Sequence, residues 1–425
     1  MKIGIICGSG NENPDILTEF KTKEVETPFG KPSSPLIIGK IGSIDVFIIS
    51  RNGLKNEITP TEVNNQANIF ALKSEGCKYI ISTTTTNSLR EEIKIGDFII
   101  FNQFIDFTKQ RKLTFFNKFE FGPIHTSMPE PFSEVLTKKL IQSCEELDFP
   151  VHKKATTITI EGPRFSTKAE SNLFRQWGAN SVDMFTSPEA ILANEAVIPF
   201  ATIATCTDYE CWKEDQKPAT WYEIKEIRKQ NTEKLKKVLI NTINSFSKEQ
   251  EINKLKDKIR IIPNFPKEGI IFRDITTLLQ DKESLRKLTE LLYEKYKEIP
   301  VDIVVGIESR GFIIAGLLAE KLNAGLALIR KPNKSQNETL KQNYPLESGN
   351  NSLEIPKDAI KAGDKVLIVD DVIATGESAK TVAELIEKAK ATIAGCAFVI
   401  ELSELKGKEK ISKYPFFSLI KFEKE

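Results

Sequence analysis

Short apolar runs recur along the whole chain, separated by longer stretches whose apolar positions repeat with helical spacing. In the first half the runs are Ile3–Cys7, Val46–Ser50, Tyr79–Ser82, Phe98–Phe101, Thr157–Ile160 and Ala201–Thr205, each expected as a strand. Helices are expected over Glu62–Ser74, Ser133–Leu147, Lys168–Trp177 and Pro188–Ala196, and then a long polar-faced one over Trp221–Ser245. The segment Phe246–Asp257 is rich in Lys, Glu and Asn, which places a domain junction near Ser247. A second series follows, with strands at Ile303–Gly306, Leu326–Ile329, Val366–Val369 and Thr392–Ile400 and helices at Ser284–Lys297, Phe312–Leu322 and Glu377–Ala389. Strands alternating with helices predict an α/β fold with mostly parallel sheets in both halves, divided as 1–246 and 247–425. Asn333–Asn351 lacks apolar periodicity, and a loop of that length reads as a lid or a disordered segment.

Composition narrows the picture. A chain of 425 residues is too long for one core. With 40% apolar and 28% charged residues and a net charge of +1, it shows no bias toward nucleic acid or an anionic membrane. No run approaches the ~20 apolar residues of a membrane span. The six cysteines are scattered without a CxxC pair, which suits a reducing, cytoplasmic setting. The only histidines, His125 and His152, argue against a histidine-built metal centre and read as packing or surface residues.

The chemistry gathers at strand ends. VLIVDDVIATGESA (Val366–Ala379) is an apolar strand ending in Asp370 and Asp371, then a small turn, Ala374, Thr375, Gly376, Glu377 and Ser378, that opens a helix. Carboxylates accept from sugar hydroxyls, while turn amides and hydroxyls hold an anion, so the pair suits a ribose flanked by phosphate. No GxxxxGK[ST] loop is present. Ser309 and Arg310 follow the strand before Gly311, and Lys331 ends the next strand; all are placed for phosphate oxygens. Glu347 lies in the lid-like stretch, where a carboxylate can face developing positive charge.

In this order, FPKEGIIFRDIT, GIESRGF, LIRK, LEIPKDAI, VDDVIATG, ELSELKGKEK and PFFSL closely resemble adenine phosphoribosyltransferase, over about Ile259–Phe422. The resemblance implies a type I phosphoribosyltransferase-like α/β domain that joins adenine to 5-phosphoribosyl-1-pyrophosphate, giving AMP and pyrophosphate with Mg²⁺. It places Asp370 and Asp371 at the ribose hydroxyls, Ala374–Ser378 at the 5′-phosphate, and Ser309, Arg310 and Lys331 at pyrophosphate. Phe272 and Arg273 lie at the adenine, with Phe272 stacking, and Glu347 is the lid carboxylate. Mg²⁺ is carried by pyrophosphate, with Asp370 and Asp371 as candidate ligands. Two positions depart from the family: its ATGGT reads ATGES here, and Ser348 stands where an aromatic is common.

The first half carries its own strand-end loops: Gly8-Ser9-Gly10, Ser50-Arg51-Asn52-Gly53, a hydroxyl-rich loop Thr83–Ser88, Glu161–Phe165, and Thr207–Trp212 with Asp208 and Glu210. ETPFGKPS, VNNQANIFALKSEGC, SLREEIKIGD, QFIDFT, TITIEGPRFSTKAES and TDYECWKE are similar to 5′-methylthioadenosine phosphorylase, of the trimeric purine nucleoside phosphorylase class. The resemblance implies methylthioadenosine plus phosphate giving adenine and 5-methylthioribose-1-phosphate. It places Ser9, Arg51, Asn52, Thr84 and Thr85 at phosphate, Phe165 at the base, Met184 at the ribose, and Asp208, supported by Glu210, at the purine N6 and N7. Asn52 and Asn56 stand where relatives carry histidines, and Phe185 where a threonine binds phosphate. Three readings stay open: a shifted phosphate site, hydrolysis by water, or a domain kept for binding and assembly. The two families together imply a homo-oligomer, a hexamer built from trimeric and dimeric interfaces.

Overall fold

The computed structural model describes all residues except 9–13, 120–121, 214–220, 266, 335–337, 347–348 and 424–425. The chain is a two-domain α/β protein whose compact units are Met1–Lys248 and Glu249–Glu425.

The N-terminal unit runs β1 (Lys2–Cys7), β2 (Thr18–Lys23), β3 (Leu36–Ile41), β4 (Ile44–Ser50), α1 (Asn65–Ser74), β5 (Tyr79–Ser88), β6 (Phe98–Phe107), α2 (Glu134–Glu146), β7 (Val151–Ile160), α3 (Lys168–Gln176), β8 (Ser181–Asp183), α4 (Thr186–Glu195), β9 (Phe200–Tyr209) and α5 (Trp221–Asp257). Its strands form one sheet in the order β2-β3-β4-β1-β5-β8-β7-β6-β9, and β9 pairs back to β5, closing a ring from β5 to β9. The sheet is mixed: β1–β4, β1–β5, β5–β9, β6–β7 and β7–β8 are parallel, while β2–β3, β3–β4, β5–β8 and β6–β9 are antiparallel. Strand β2, TEFKTK, is exposed throughout, so no apolar run marked it.

The stretch Thr83–Ser88 is strand, not loop, since β5 continues to Ser88 beside β9. Threonine is a good strand former, and here it fills a buried, two-sided strand. The long helix α5 does not end near Ser245 but runs to Asp257. Ile252 and Leu255 pack into a C-terminal core, which the Lys/Glu-rich sequence around them disguised.

The C-terminal unit runs β10 (Arg260–Pro263), β11 (Ile271–Asp274), α6 (Thr276–Gln280), α7 (Lys282–Tyr296), β12 (Ile303–Ile307), α8 (Gly311–Leu322), β13 (Gly325–Ile329), β14 (Thr339–Leu346), β15 (Gly349–Pro356), β16 (Lys365–Ile373), α9 (Glu377–Lys388), β17 (Thr392–Leu402) and β18 (Phe416–Phe422). Its sheet, β13-β12-β16-β17-β18, is wholly parallel. Alternating residues of its strands feed two cores, one with Val304, Leu367, Val369 and Ala397 packed on α7 and α8, the other with Val305, Val366, Ile368 and Phe398 packed on α9. Burial on both faces is what a parallel sheet requires. The expected lid loop is instead the antiparallel hairpin β14–β15, anchored by buried Leu353 and Ile355. Its polar residues and Pro345 hid the strand pattern, and Glu347 lies outside the described residues.

Candidate functional site

In the C-terminal unit, the ends of β12, β13 and β16 bring the charged loops to one edge of the sheet. Asp370 lines a cleft of about 100 Å³ together with Ala374, Thr375, Gly376, Glu377 and Ser378. Gly376 precedes α9 with φ +77°, and a Cβ there would lie 2.2 Å from the Gly407 carbonyl oxygen. Only glycine permits both the turn and that approach. Gly311, at the start of α8, plays the same part for Asp370, whose Oδ1 would lie 2.8 Å from an added Cβ.

Asp371 is buried, and Arg310 Nε lies 2.9 Å from its Oδ2. The pair lacks hydrogen-bond alignment, so its attraction is chiefly Coulombic. Desolvation pushes both carboxyls up, Asp370 well up, with Asp371 adding to it; Arg310 opposes the shift. Arg310 also lies 5.0 Å from the ring centroid of Phe272, so one side chain links the carboxylates to the aromatic residue expected at the base. Arg273, next along β11, is buried with its guanidinium 4.5 Å from the Phe422 ring, away from Phe272.

Ser309 and Lys331 are exposed at the same edge. Glu308, which sequence reasoning passed over, ties these loops together by accepting from Lys331 N at 2.7 Å and Lys334 Nζ at 2.5 Å. Those bonds lower its carboxyl below the usual range despite partial burial.

In the N-terminal unit, Arg51 has no exposed surface. Its Nε and one terminal nitrogen grip Glu189 at 2.5 and 3.1 Å, the same nitrogen donates to Ser82 Oγ at 2.8 Å, and the other donates to Thr83 O at 3.0 Å. Four of the five guanidinium N–H groups are thereby used inside the protein. Phe185 covers the guanidinium face at 4.7 Å. Glu189 lies on α4, and nothing in the sequence pattern marked it.

Thr84 is buried and Thr85 half-buried on β5. Asn52 donates to Ile58 O at 2.9 Å, leaving its Oδ1 buried without a hydrogen-bond partner among the described residues. That oxygen is an acceptor, suited to a hydroxyl or a protonated phosphate oxygen. Asn56 is exposed in a left-handed turn with φ 55°. Ser9 lies outside the described residues.

The base end is assembled where β5 and β9 run side by side, with Asn87 opposite Asp208. Asn87 Nδ2 donates to Glu210 Oε1 at 3.4 Å, and burial raises the Glu210 carboxyl. Asp208 accepts from Tyr209 N at 2.8 Å. Trp212 holds the following segment, donating to Ser88 O at 3.0 Å under the Arg175 guanidinium. Met184 packs on Gly162, whose added Cβ would meet the Met184 sulfur at 2.6 Å. Phe165 is 65% exposed, open for a base to stack on. Asp183, buried beneath this region, accepts from Thr159 Oγ1 at 2.7 Å and Thr186 N at 3.0 Å, and burial raises its carboxyl.

Two family models match this chain, the phosphorylase superfamily over residues 2–244 and the phosphoribosyl transferase domain over 274–424. The chain belongs to the phosphorylase superfamily. Its C-terminal unit is a phosphoribosyltransferase domain. The chain is similar to S-methyl-5′-thioadenosine phosphorylase of Xenopus tropicalis, with 48% identity over 57% of this chain and 88% of that protein. The same enzyme of Thermofilum pendens is 46% identical over 59% and 94%. Purine nucleoside phosphorylase of Drosophila melanogaster is 41% identical over 62% and 93%. Among solved structures, methylthioadenosine phosphorylase of Schistosoma mansoni in complex with adenine superposes with a TM-score of 0.56 at 34% identity, covering 58% of this chain and 92% of that one. The protein is thus an enzyme of the pentosyltransferase kind, pairing a phosphorylase with a phosphoribosyltransferase. Among the described residues no helix is long and apolar enough to cross a membrane.

Proposed function

We propose that the chain is a bifunctional purine salvage enzyme of the cytoplasm. Its first unit splits methylthioadenosine with phosphate into adenine and 5-methylthioribose-1-phosphate, and its second joins adenine to phosphoribosyl pyrophosphate, giving AMP and pyrophosphate. The observation that carries the reading is the pairing of two complementary strand-end sites in one chain. One has a buried acid, Glu210, beside Asp208 at the end of β9; the other has Asp370, Asp371 and the Gly376 turn at the end of β16.

At the first site, phosphate displaces adenine at the anomeric carbon. Adenine is a poor leaving group as an anion, and a carboxyl that donates at the purine edge as the bond breaks makes it a better one. Asp208 takes that role, with Glu210, whose carboxyl burial raises, supporting it. The remaining Arg51 N–H, Thr84 and Thr85 meet the phosphate, Met184 meets the sugar, and Phe165 closes on the base. At the second site, adenine stacks on Phe272. Asp370 and Asp371 accept from the ribose hydroxyls, Ala374–Ser378 hold the 5′-phosphate, and Ser309, Arg310 and Lys331 draw off pyrophosphate. Glu347 offsets positive charge on the sugar ring. Asp370, a carboxylate lining the cleft beside the turn, would hold a Mg²⁺ that keeps most of its waters and binds through substrate phosphate, and such an ion would supply charge neutralisation to the pyrophosphate. The assembly is a hexamer with trimeric contacts from the first unit and dimeric contacts from the second.

A second reading of the first site is favoured by one observation: Arg51 is neutralised by Glu189 and covered by Phe185, which weakens a phosphate site. Water would then replace phosphate as nucleophile, or cleavage would be lost. Two separate assays decide. Methylthioadenosine cleavage that requires phosphate supports phosphorolysis; cleavage without phosphate, or none, overturns it. AMP formation from adenine and phosphoribosyl pyrophosphate tests the second unit, and its absence overturns that half.

A further inference from the structure

Three carboxylates border the anion-binding turn of the C-terminal unit, and a different device offsets each. Burial and the neighbouring Asp371 push the Asp370 carboxyl well above the usual carboxylate range. Asp371 faces Arg310. Glu377 is the anomaly, a carboxylate inside the turn that holds phosphate, at the first position of α9. Its carboxylate is paired with Lys410, whose Nζ lies 2.5 Å from Oε1.

Lys410 lies in a 3₁₀ turn, Gly407–Ile411, that braces the phosphate turn from behind. Gly407 abuts it so closely that an added Cβ would lie 2.3 Å from the Ala374 carbonyl oxygen. Lys408 of the same turn lies 3.5 Å from the buried carboxylate of Glu401 at the end of β17. Glu401 also accepts from Ser418 Oγ at 2.5 Å. The 3₁₀ turn is thus fixed to the sheet through Lys408 and to the helix start through Lys410. As a contribution to folding, a half-exposed pair such as Glu377–Lys410 is small. Its electrostatic effect on a phosphate dianion in the same turn is direct, because freeing Glu377 adds a negative charge beside the ligand.

We propose that Lys410 is a positioning residue for the phosphorylated sugar: it holds Glu377 out of the phosphate turn and cancels its charge, so the Glu377–Lys410 pair sets the affinity for phosphoribosyl pyrophosphate. This rests on the reading of the C-terminal unit as an adenine phosphoribosyltransferase. The pair replaces, with a side-chain contact, what a residue without a side chain would achieve in the same turn. It also makes sugar-phosphate affinity depend on a lysine that lies on another element.

The test is steady-state AMP formation by the full chain with K410M, K410R, E377Q and E377Q/K410M. K410M raises KM for phosphoribosyl pyrophosphate about two- to five-fold, the range of a screened charge contact, while KM for adenine stays put. K410R behaves like the native chain. E377Q leaves the lysine charge uncancelled and lowers the same KM, and the double variant, with neither charge, returns to about the native value. If K410M and the double variant are equally impaired, Lys410 acts only as a brace and the inference is overturned. A native chain that makes no AMP from adenine and phosphoribosyl pyrophosphate overturns the underlying reading and this inference with it.

Discussion

The two proposed anion-binding sites solve one problem in opposite ways. In the N-terminal unit the charge is a single guanidinium, that of Arg51, buried and held by Glu189, Ser82 and the Thr83 carbonyl. In the C-terminal unit it is backbone, the turn Ala374–Ser378 at the start of α9, with glycine as its one strict requirement. A buried cation must carry a buried partner, so its charge is largely spent before phosphate arrives. A turn of amides needs no counter-ion, and so tolerates even a glutamate, provided a lysine elsewhere cancels it. Side-chain losses should therefore be severe at the first site and mild at the second, and glycine losses the reverse.

The largest expected effect is from Arg51→Met. It strands Glu189 in the interior and should cost the N-terminal unit about 3–5 kcal/mol, read as a lowered denaturation midpoint with loss of methylthioadenosine cleavage. An unchanged midpoint would mean that the pair is not buried as described. Next, Gly376→Ala drives a Cβ toward the Gly407 carbonyl from a left-handed position, a strain of about 1–3 kcal/mol. KM for phosphoribosyl pyrophosphate should rise about tenfold or more, while the first activity is untouched. A native KM would show that the turn does not hold phosphate.

Phe185→Thr uncovers Arg51 and adds a hydroxyl. One hydrogen bond corresponds to about a two- to ten-fold fall in the KM for phosphate; no change would place phosphate away from this residue. The smallest effect concerns pH. Burial raises Glu210 above its ordinary 4.5, so the folded chain binds that proton more tightly than the unfolded one. The stability contributed by the protonated form is whole below 4.5 and falls as pH rises from there through the raised value. Cleavage of methylthioadenosine should decline over the same window, and Glu210→Gln should flatten both profiles.

The fold was legible where strands are buried on both faces: β12, β16 and β17 carry uninterrupted apolar runs. It was hidden where pairing partners rather than burial make the strand, as in β2 and the β14–β15 hairpin. Among site residues, Asp370, Asp371 and Arg310 stood out because charge at the end of an apolar run is conspicuous. Glu189 did not, because a glutamate in a helix usually faces water and only the fold reveals Arg51 across from it. Glu308 and Lys410 were missed for a related reason: each acts on a loop distant in sequence. The contrast between Phe272 and Arg273 is set by strand alternation, which turns neighbouring side chains to opposite faces of β11.

The central claim is that adenine released by the first unit is the substrate of the second. Methylthioadenosine labelled in the adenine ring, incubated with the full chain, Mg²⁺, phosphate and phosphoribosyl pyrophosphate, tests it most directly. The account predicts label in AMP when both co-substrates are present, in adenine when phosphoribosyl pyrophosphate is withheld, and only in methylthioadenosine when phosphate is withheld. Label reaching adenine or AMP without phosphate, or failing to reach AMP with both, would contradict it.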